Sequence, residues 1–147
     1  MENAVELYPY WEGREYVYVI APITICRSCS AICKIGKSSR PERRLRSLGG
    51  PFKLKLVYAE RFSTADIDQA EKAMHALYAN RRLEGEWFQV LAYEAAGELR
   101  ALKNTMRMAA IDAAHGARHN PNHKQEQLER FIATPPNRRS TLDYHIT

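Results

Sequence analysis

Glu15-Tyr-Val-Tyr-Val-Ile-Ala21 is the stretch of sequence that decides the fold, because it is dense in β-branched and aromatic residues and stops at Pro22. Alternation along a strand separates its side chains into two sets, Tyr16, Tyr18 and Ile20 on one face and Val17 and Val19 on the other. Both sets are aliphatic or aromatic. We therefore predict a strand whose two faces are both covered by other elements of the fold.

Two further strands are predicted after this one. Residues 31–36 form a short apolar run that can pair antiparallel with the first strand, and residues 54–62 begin with alternating apolar and charged side chains. The pattern predicts a small three-stranded antiparallel sheet. With the helices that flank it, the sheet places the chain in the mixed α/β class, of the α+β type.

Helix signals separate and follow the strands. Three helices are predicted: one opening at Arg40-Pro41 and ending at Gly49-Gly50, one running from a capping box at 63–66 to about Asn80, and one amphipathic helix from about Leu91 to Gly116. Between the last two, residues 85–90 are predicted to form a short extended piece.

Four regions are predicted along the chain of 147 residues, whose length and 45% hydrophobic content fit one domain with an ordinary core. Residues 1–14 form an N-terminal lead-in, 15–91 the core, 92–116 a C-terminal helix packed on that core, and 117–147 a partly mobile tail. The tail has turn signals around one further predicted helix, from Lys124 to Ile132.

Signals for export and for a membrane segment are absent from the sequence. The N-terminus has no basic segment followed by an apolar run, and no apolar run is long enough to cross a membrane. We therefore expect a soluble, cytoplasmic protein. Three cysteines, Cys26, Cys29 and Cys33, are an odd number and do not form a secreted disulfide framework. We expect reduced thiols there and no zinc site, because the sequence has no second Cys-x2-Cys pair.

The net positive charge of the chain is concentrated between residues 34 and 46. The whole chain carries 22 lysines and arginines against 17 aspartates and glutamates, a net charge of +5. This stretch has six cations against Glu42, also +5, so the remaining 16 basic and 16 acidic side chains sum to zero. Such concentration indicates a site for a polyanion, with phosphate the leading candidate. The cations are Lys34, Lys37, Arg40, Arg43, Arg44 and Arg46.

Glu71 is the acidic residue whose helical position is most informative. At 100° per residue it lies about 40° from Ile67 and about 20° from Tyr78, inside the apolar arc, with His75 beside it one turn later. A carboxylate there is partly buried and needs a partner or a cation. Two interpretations stay open: a salt bridge to an arginine of the first helix, with His75 packing beside it, or a metal site.

The motifs together resemble the GIY-YIG nuclease superfamily, in particular its divergent branch associated with phages and plasmids. The likeness runs from about Tyr16 to Phe88. Its elements are Tyr16-Val17-Tyr18 for the first motif, Lys34-Ile35-Gly36 for the second, then Lys37, the helix arginine Arg44, the glutamate Glu71 with His75 four residues later, and Gly85-Glu86-Trp87-Phe88. Lys34 replaces the tyrosine of the second motif, and Glu86 is the nearest polar candidate for the terminal asparagine of the family.

The resemblance implies a metal-dependent endonuclease that hydrolyses phosphodiester bonds in DNA. Glu71 would hold one Mg²⁺ or Mn²⁺, Arg44 would bind the scissile phosphate, and Tyr18 would take a proton from water, its pKa lowered by Lys34 and Lys37 across the strand. His75 would orient the water shell of the metal or support Glu71. Nucleic-acid contacts are expected from Arg40, Arg43, Arg46 and Lys53.

Other functional classes stay open at this point. A nucleic-acid-binding or regulatory module that keeps the basic groove without turnover is favoured by Lys34 in place of tyrosine and by the missing asparagine. A zinc-stabilised interaction protein is the third class. The sequence does not distinguish single-stranded, duplex and branched DNA, and RNA is a further substrate class.

Overall fold

A single antiparallel sheet organises the part of the chain that the structure describes. The structure is a computed structural model, and it describes residues 14–23, 31–49, 53–115 and 122–135. Within them the sheet has five strands in the order β3-β1-β2-β5-β4. Their bounds are β1 (Arg14–Pro22), β2 (Cys33–Ser38), β3 (Leu54–Ser63), β4 (Arg82–Glu84) and β5 (Trp87–Phe88).

The predicted α+β class is confirmed, and the three predicted strands correspond to β1, β2 and β3. The expected three-stranded sheet is too small, because the short hairpin β4–β5 extends it by pairing β5 with β2. Strand β4 has only three residues, all exposed. A segment this short gives no run of alternating buried and exposed side chains from which a strand is predicted. Gly85, with φ of 57°, makes the tight turn between these strands.

Four α-helices lie within the described residues: α1 (Pro41–Ser47), α2 (Ile67–Leu77), α3 (Ala92–His115) and α4 (His123–Ala133). Each matches a predicted helix. The second one ends earlier than expected, and a 3-10 turn, Ala79–Arg81, completes it. The predicted capping box at 63–66 is wrong, because Asp66 at the N-cap makes no capping hydrogen bond and its carboxylate instead binds the Lys124 ammonium.

The two faces of β1 are both buried, as the sequence predicts. Val17 and Val19 belong to the main apolar cluster, together with residues of α2, α3 and α4. Tyr18 and Ile20 are equally buried but lie outside that cluster, on the opposite face of the strand. Because each fully buried large apolar side chain contributes roughly 1.5–3 kcal/mol, this double coverage fixes β1 firmly in the middle of the fold.

Helix α4 is part of this packing. Leu128 and Phe131 are buried in the main cluster, and the helix contacts α2 and α3. The helical part of the predicted tail is therefore attached to the core, while the rest of residues 117–147 lies largely outside the described residues. No helix in the described ranges combines the length and apolar character needed to cross a membrane.

Candidate functional site

The candidate site is built around the central pair of strands. Tyr18 on β1 lies directly opposite Gly36 on β2, so the phenol ring extends over a position that has no side chain. A Cβ atom on Gly36 would lie 2.5 Å from the Tyr18 hydroxyl oxygen and 2.7 Å from Glu86 Oε1. Since such contacts are far below van der Waals distance, glycine at this position lets the phenol and the carboxylate approach the same point.

Helix α1 brings the predicted arginine to the same place. The chain leaves β2 and turns at Ser39-Arg40, where the Arg40 backbone N–H donates a 3.0 Å hydrogen bond to Ser38 Oγ. The helix then starts with Pro41 at its first position, which presets the backbone for a helix start. One turn later, the Arg44 guanidinium donates a hydrogen bond to the Tyr18 hydroxyl. Helix α1 therefore covers the Tyr18 face of the sheet.

The β4–β5 hairpin delivers Glu86. The Ile35 backbone N–H donates to the Glu86 carbonyl at 3.0 Å, which holds the turn against β2. The Glu86 carboxylate then lies 3.1 Å from the Lys34 ammonium. Lys34 itself is only 8% exposed, and its ammonium lies 5.9 Å from the centre of the Trp87 ring. A nearly buried lysine of this kind needs its anionic partner, so the two side chains fix each other.

Helix α2 supplies the other acidic residue. Glu71, His75 and Glu86 each offer a potential metal-ligating atom, and these atoms lie within 4.8 Å of one another. Burial raises the pKa of Glu71, the neighbouring His75 opposes this, and the Glu86 carboxylate raises it further. The alternative of a salt bridge to the first helix is not found, because Glu71 makes no ion pair with an arginine of α1 among the described residues.

His75 is held at both ring nitrogens. Its Nε2–H donates to the Ile35 carbonyl oxygen at 2.7 Å, and the Arg82 guanidinium donates to Nδ1 at 3.1 Å. With these partners Nε2 is the donor and Nδ1 the acceptor of the ring. The ring also packs against Phe88, with centroids 5.1 Å apart. In this arrangement His75 ties α2 to β2 and to the β4–β5 hairpin.

The predicted lowering of the Tyr18 pKa by two lysines is wrong. Burial raises this pKa, the hydrogen bond from Arg44 lowers it, and the charge of Glu86 raises it again. Lys34 is bound to Glu86. Lys37 lies opposite Val17, so its side chain is on the other face of the sheet, where its ammonium binds Asp68 of α2. The cation beside the phenol is the arginine.

The predicted nucleic-acid contacts form two separate groups. Arg40, Arg43 and Arg46 are exposed on or just before α1, and among the described residues Arg43 and Arg46 have no ion pair. Lys53 is exposed at the start of β3, next to the Pro22 end of β1. Pro22 is four residues along β1 from Tyr18, a distance of roughly 13 Å at the usual strand rise, so Lys53 lies away from the Tyr18 site.

The cysteines do not contribute to this site. Cys33 is fully buried in β2, and burial, with a contribution from Glu94, raises its pKa to about 12. A buried neutral thiol of this kind is a packing residue. Cys26 and Cys29 lie outside the described residues, so the predicted absence of a zinc site stays a prediction.

Sequence reasoning missed several partners of the site residues. Asp68, which binds Lys37, and Arg82, which binds His75, were not singled out. Both are ordinary exposed charges in the sequence and carry no local signal of their partners. Glu86 was considered only as a substitute for the family asparagine, although the Gly85-Glu86 pair after a charged run is typical of a hairpin turn that presents a side chain.

Comparison with known families supports a nucleic-acid-related role. Residues 15–109 match the family described as the T5orf172 domain, which occurs in homing-endonuclease-like proteins of phages and bacteria. This indicates a nuclease or DNA-binding module. Neither the curated proteins nor the solved structures include a match to this chain. Because the family match covers more than half of the 147 residues, the protein is a member of the T5orf172 domain family.

Proposed function

We propose that the protein is a divalent-metal-dependent endonuclease of the GIY-YIG type that hydrolyses phosphodiester bonds in DNA. The observation that supports this most strongly is the convergence of four side chains that are far apart in the sequence. The Tyr18 hydroxyl accepts a hydrogen bond from Arg44, and its pKa is sensitive to the charges of Glu71 and Glu86. A phenol, a guanidinium and carboxylates thus meet beside Gly36, in the order of the motifs that resemble this superfamily.

Arg44 is the residue suited to the scissile phosphate. Its guanidinium is permanently charged and presents several donors, so it stabilises the negative charge that gathers on the phosphate oxygens in the transition state. Arg43 and Arg46 lie on the same short helix and are exposed. They bind the backbone of the nucleic acid and hold it along α1.

Tyr18 orients the attacking water in this proposal. Because its pKa is raised by burial, the phenol is neutral at physiological pH and is poorly suited to accept a proton. A neutral hydroxyl that accepts from Arg44 still has its own hydrogen to donate. In this proposal the hydroxyl donates that hydrogen to the water, which it holds beside Gly36 near the Glu86 carboxylate.

The donor set at this site fits a hard divalent cation. Glu71 is half-buried, makes no ion pair among the described residues, and has the oxygen ligands that Mg²⁺ and Mn²⁺ prefer. Such a cation, when bound, would stabilise charge on the phosphate and lower the pKa of a coordinated water. Glu71 is the residue that we propose holds it.

Cleavage assays on a panel of labelled substrates test this function. Single-stranded, duplex and branched DNA, with a matched RNA set, are incubated with the protein in Mg²⁺, in Mn²⁺ or with chelator. We expect internal cleavage of at least one DNA substrate that requires the metal. Cleavage that persists in chelator, or no cleavage of any substrate in either metal, contradicts the proposal.

A second candidate function is a nucleic-acid-binding module without turnover. The raised pKa of Tyr18 favours it, and so does the pairing of Lys34 and Lys37 with Glu86 and Asp68, because neither lysine is then available to activate the phenol. Binding curves for the same substrates distinguish the two functions. Salt-sensitive binding without metal-dependent cleavage would support the module.

A further inference from the structure

Of the two carboxylates in the polar cluster beside Gly36, one has an ion-pair partner and the other has none among the described residues. Glu71 and Glu86 bring two carboxylates to within 4.8 Å, and the Lys34 ammonium, 3.1 Å from Glu86, is the cation bound to Glu86. Lys37 also acts on Glu71 electrostatically, but its ammonium is bound by Asp68. Within the described residues Glu71 therefore has no ion-pair partner of its own, and the cluster has a place for further positive charge.

The position of Glu86 is set by backbone geometry and not by chance contacts of a mobile side chain. The hydrogen bond from the Ile35 N–H to the Glu86 carbonyl fixes the hairpin on β2, and Gly85 supplies the left-handed backbone conformation that the turn needs. The absence of a side chain at Gly36 leaves the space that Glu86 Oε1 and the Tyr18 hydroxyl occupy. Glu86 is thus held next to the residues of the proposed active site.

His75 is less suited to bind a cation than the two carboxylates. Its Nε2 carries a hydrogen that is donated to Ile35, and the lone pair of Nδ1 accepts from Arg82. Neither nitrogen therefore has a free lone pair in this arrangement. The oxygen atoms of Glu71 and Glu86 are the donors that remain, and oxygen donors select hard divalent cations.

We propose that Glu86 is a second carboxylate ligand of the divalent cation, together with Glu71, and that Lys34 is the counter-ion of Glu86 when the cation is absent. This inference rests on the proposed metal-dependent function and assigns a metal-binding role to Glu86, the nearest polar candidate for the uncharged asparagine of the superfamily that the motifs resemble. The ammonium of Lys34 and the divalent cation then compete for the same carboxylate.

Direct metal binding without nucleic acid tests this assignment. Binding of Mn²⁺ to the 147-residue protein is followed by electron paramagnetic resonance, which measures free Mn²⁺ and does not depend on catalysis. Glu86→Gln and Glu71→Gln are each expected to weaken Mn²⁺ binding by roughly tenfold or more. Glu84→Gln, an exposed change on the same hairpin, is the matched control and should bind as the unmodified protein does.

A lysine variant tests the competition. Lys34→Met removes the ammonium from Glu86 and should bind Mn²⁺ more tightly than the unmodified protein. Lys55→Met, which removes the same charge from an exposed position on β3, is its control and should change binding little. Thermal unfolding of each variant verifies that it is folded. Equal Mn²⁺ affinity for Lys34→Met and Lys55→Met would contradict the counter-ion role.

The outcomes separate this inference from the proposed function. Mn²⁺ binding that depends on Glu71 but is unaffected by Glu86→Gln contradicts the role of Glu86 as a second ligand and does not affect the proposed endonuclease function. Binding that depends on both glutamates, in a protein that cleaves no substrate, supports the second ligand and overturns the endonuclease. Absence of Mn²⁺ binding by the unmodified protein overturns both.

Discussion

Tyr18 and Tyr78 are each about 1% exposed, yet their surroundings differ in one decisive respect. The pKa of Tyr78 is raised by burial and by the carboxylates of Glu94 and Glu98, and the nearby Arg81 guanidinium lies over the face of the ring, 5.9 Å from its centre. The pKa of Tyr18 is also raised by burial and by carboxylates, but the Arg44 guanidinium acts against the rise. Both tyrosines are buried next to acids, but only at Tyr18 does an arginine act on the hydroxyl itself, and that arginine lies on the basic helix α1.

The regions around the two tyrosines differ in the same way. The Tyr78 region lies on the main core side of the sheet with Cys33, whose thiol is fully buried and whose pKa is about 12. The Tyr18 region combines cations and anions, and helix α1, which covers it, has further exposed arginines. Burial alone therefore does not mark the site. The balance of charges around the buried hydroxyl does.

Arg44→Ala should produce the largest change. It removes the guanidinium that we place on the phosphate, so single-turnover cleavage should fall about a hundredfold to a thousandfold. Arg43→Ala and Arg46→Ala should mainly reduce affinity and its salt dependence, since they bind the backbone of the nucleic acid. Single-turnover rates and binding curves at two salt concentrations provide the comparison. Equal kinetic effects for all three arginines would show a general basic patch without a positioned catalytic residue.

The two tyrosines should respond differently to loss of the hydroxyl. Tyr18→Phe keeps the ring and should reduce the cleavage rate by roughly a hundredfold, with little change in thermal stability, because the water is no longer oriented. Tyr78→Phe removes a hydroxyl on the core side and should leave the rate unchanged. If both variants lose the same amount of activity, the distinction between the two surroundings is wrong.

Gly36→Ala should have a smaller effect, on both stability and rate. The new Cβ would overlap the Tyr18 hydroxyl and Glu86 Oε1, so we expect about 1–3 kcal/mol of lost unfolding free energy together with reduced cleavage. Gly49→Ala is the control, because a Cβ there has no atom within 4 Å and the position is exposed. Chemical denaturation measures the difference. A Gly36→Ala protein as stable and active as Gly49→Ala would mean that the space beside Gly36 is not used.

The smallest expected effect is a dependence of stability on pH. Burial and Glu86 raise the pKa of Glu71 above its ordinary value of 4.5, so the folded protein retains a proton that the unfolded chain releases. This contribution to stability is complete below pH 4.5 and is lost as the pH rises through the higher folded-state pKa. Denaturation of metal-free protein across this range should show less decline for Glu71→Gln than for the unmodified protein. An identical pH profile for the two proteins would contradict the raised pKa.

Most of the fold could be predicted from local sequence patterns. The β-branched and aromatic residues of β1 and the proline at the start of α1 are signals carried within one element. The β4–β5 hairpin could not be predicted in the same way, because Arg82–Glu84 is only three residues long and exposed, with Leu83 as its one apolar side chain. Its place in the sheet is set by a contact with another strand, the hydrogen bond from Ile35 to Glu86.

The sequence predicted which residues belong to the candidate site, but not which of their side chains bind one another. Motif order singled out Tyr18, Arg44 and Glu71, which the structure brings to one region. Which carboxylate binds which lysine was beyond the sequence, because each pair joins residues that are far apart along the chain, Lys34 with Glu86 and Lys37 with Asp68. The predicted direction of the Tyr18 pKa was wrong because burial is the largest effect on it and because both lysines are bound to other carboxylates.

Cleavage by Glu71→Gln is the most direct test of the central claim that this site is a metal-dependent nuclease. The variant keeps the size of the side chain and removes the charge, so it should stay folded and bind DNA while losing cleavage in both Mg²⁺ and Mn²⁺. The measurement is a single-turnover rate on the best substrate of the panel, beside the Glu84→Gln control. Complete loss of metal-dependent cleavage in a folded Glu71→Gln protein is the predicted result, and undiminished cleavage would contradict the account.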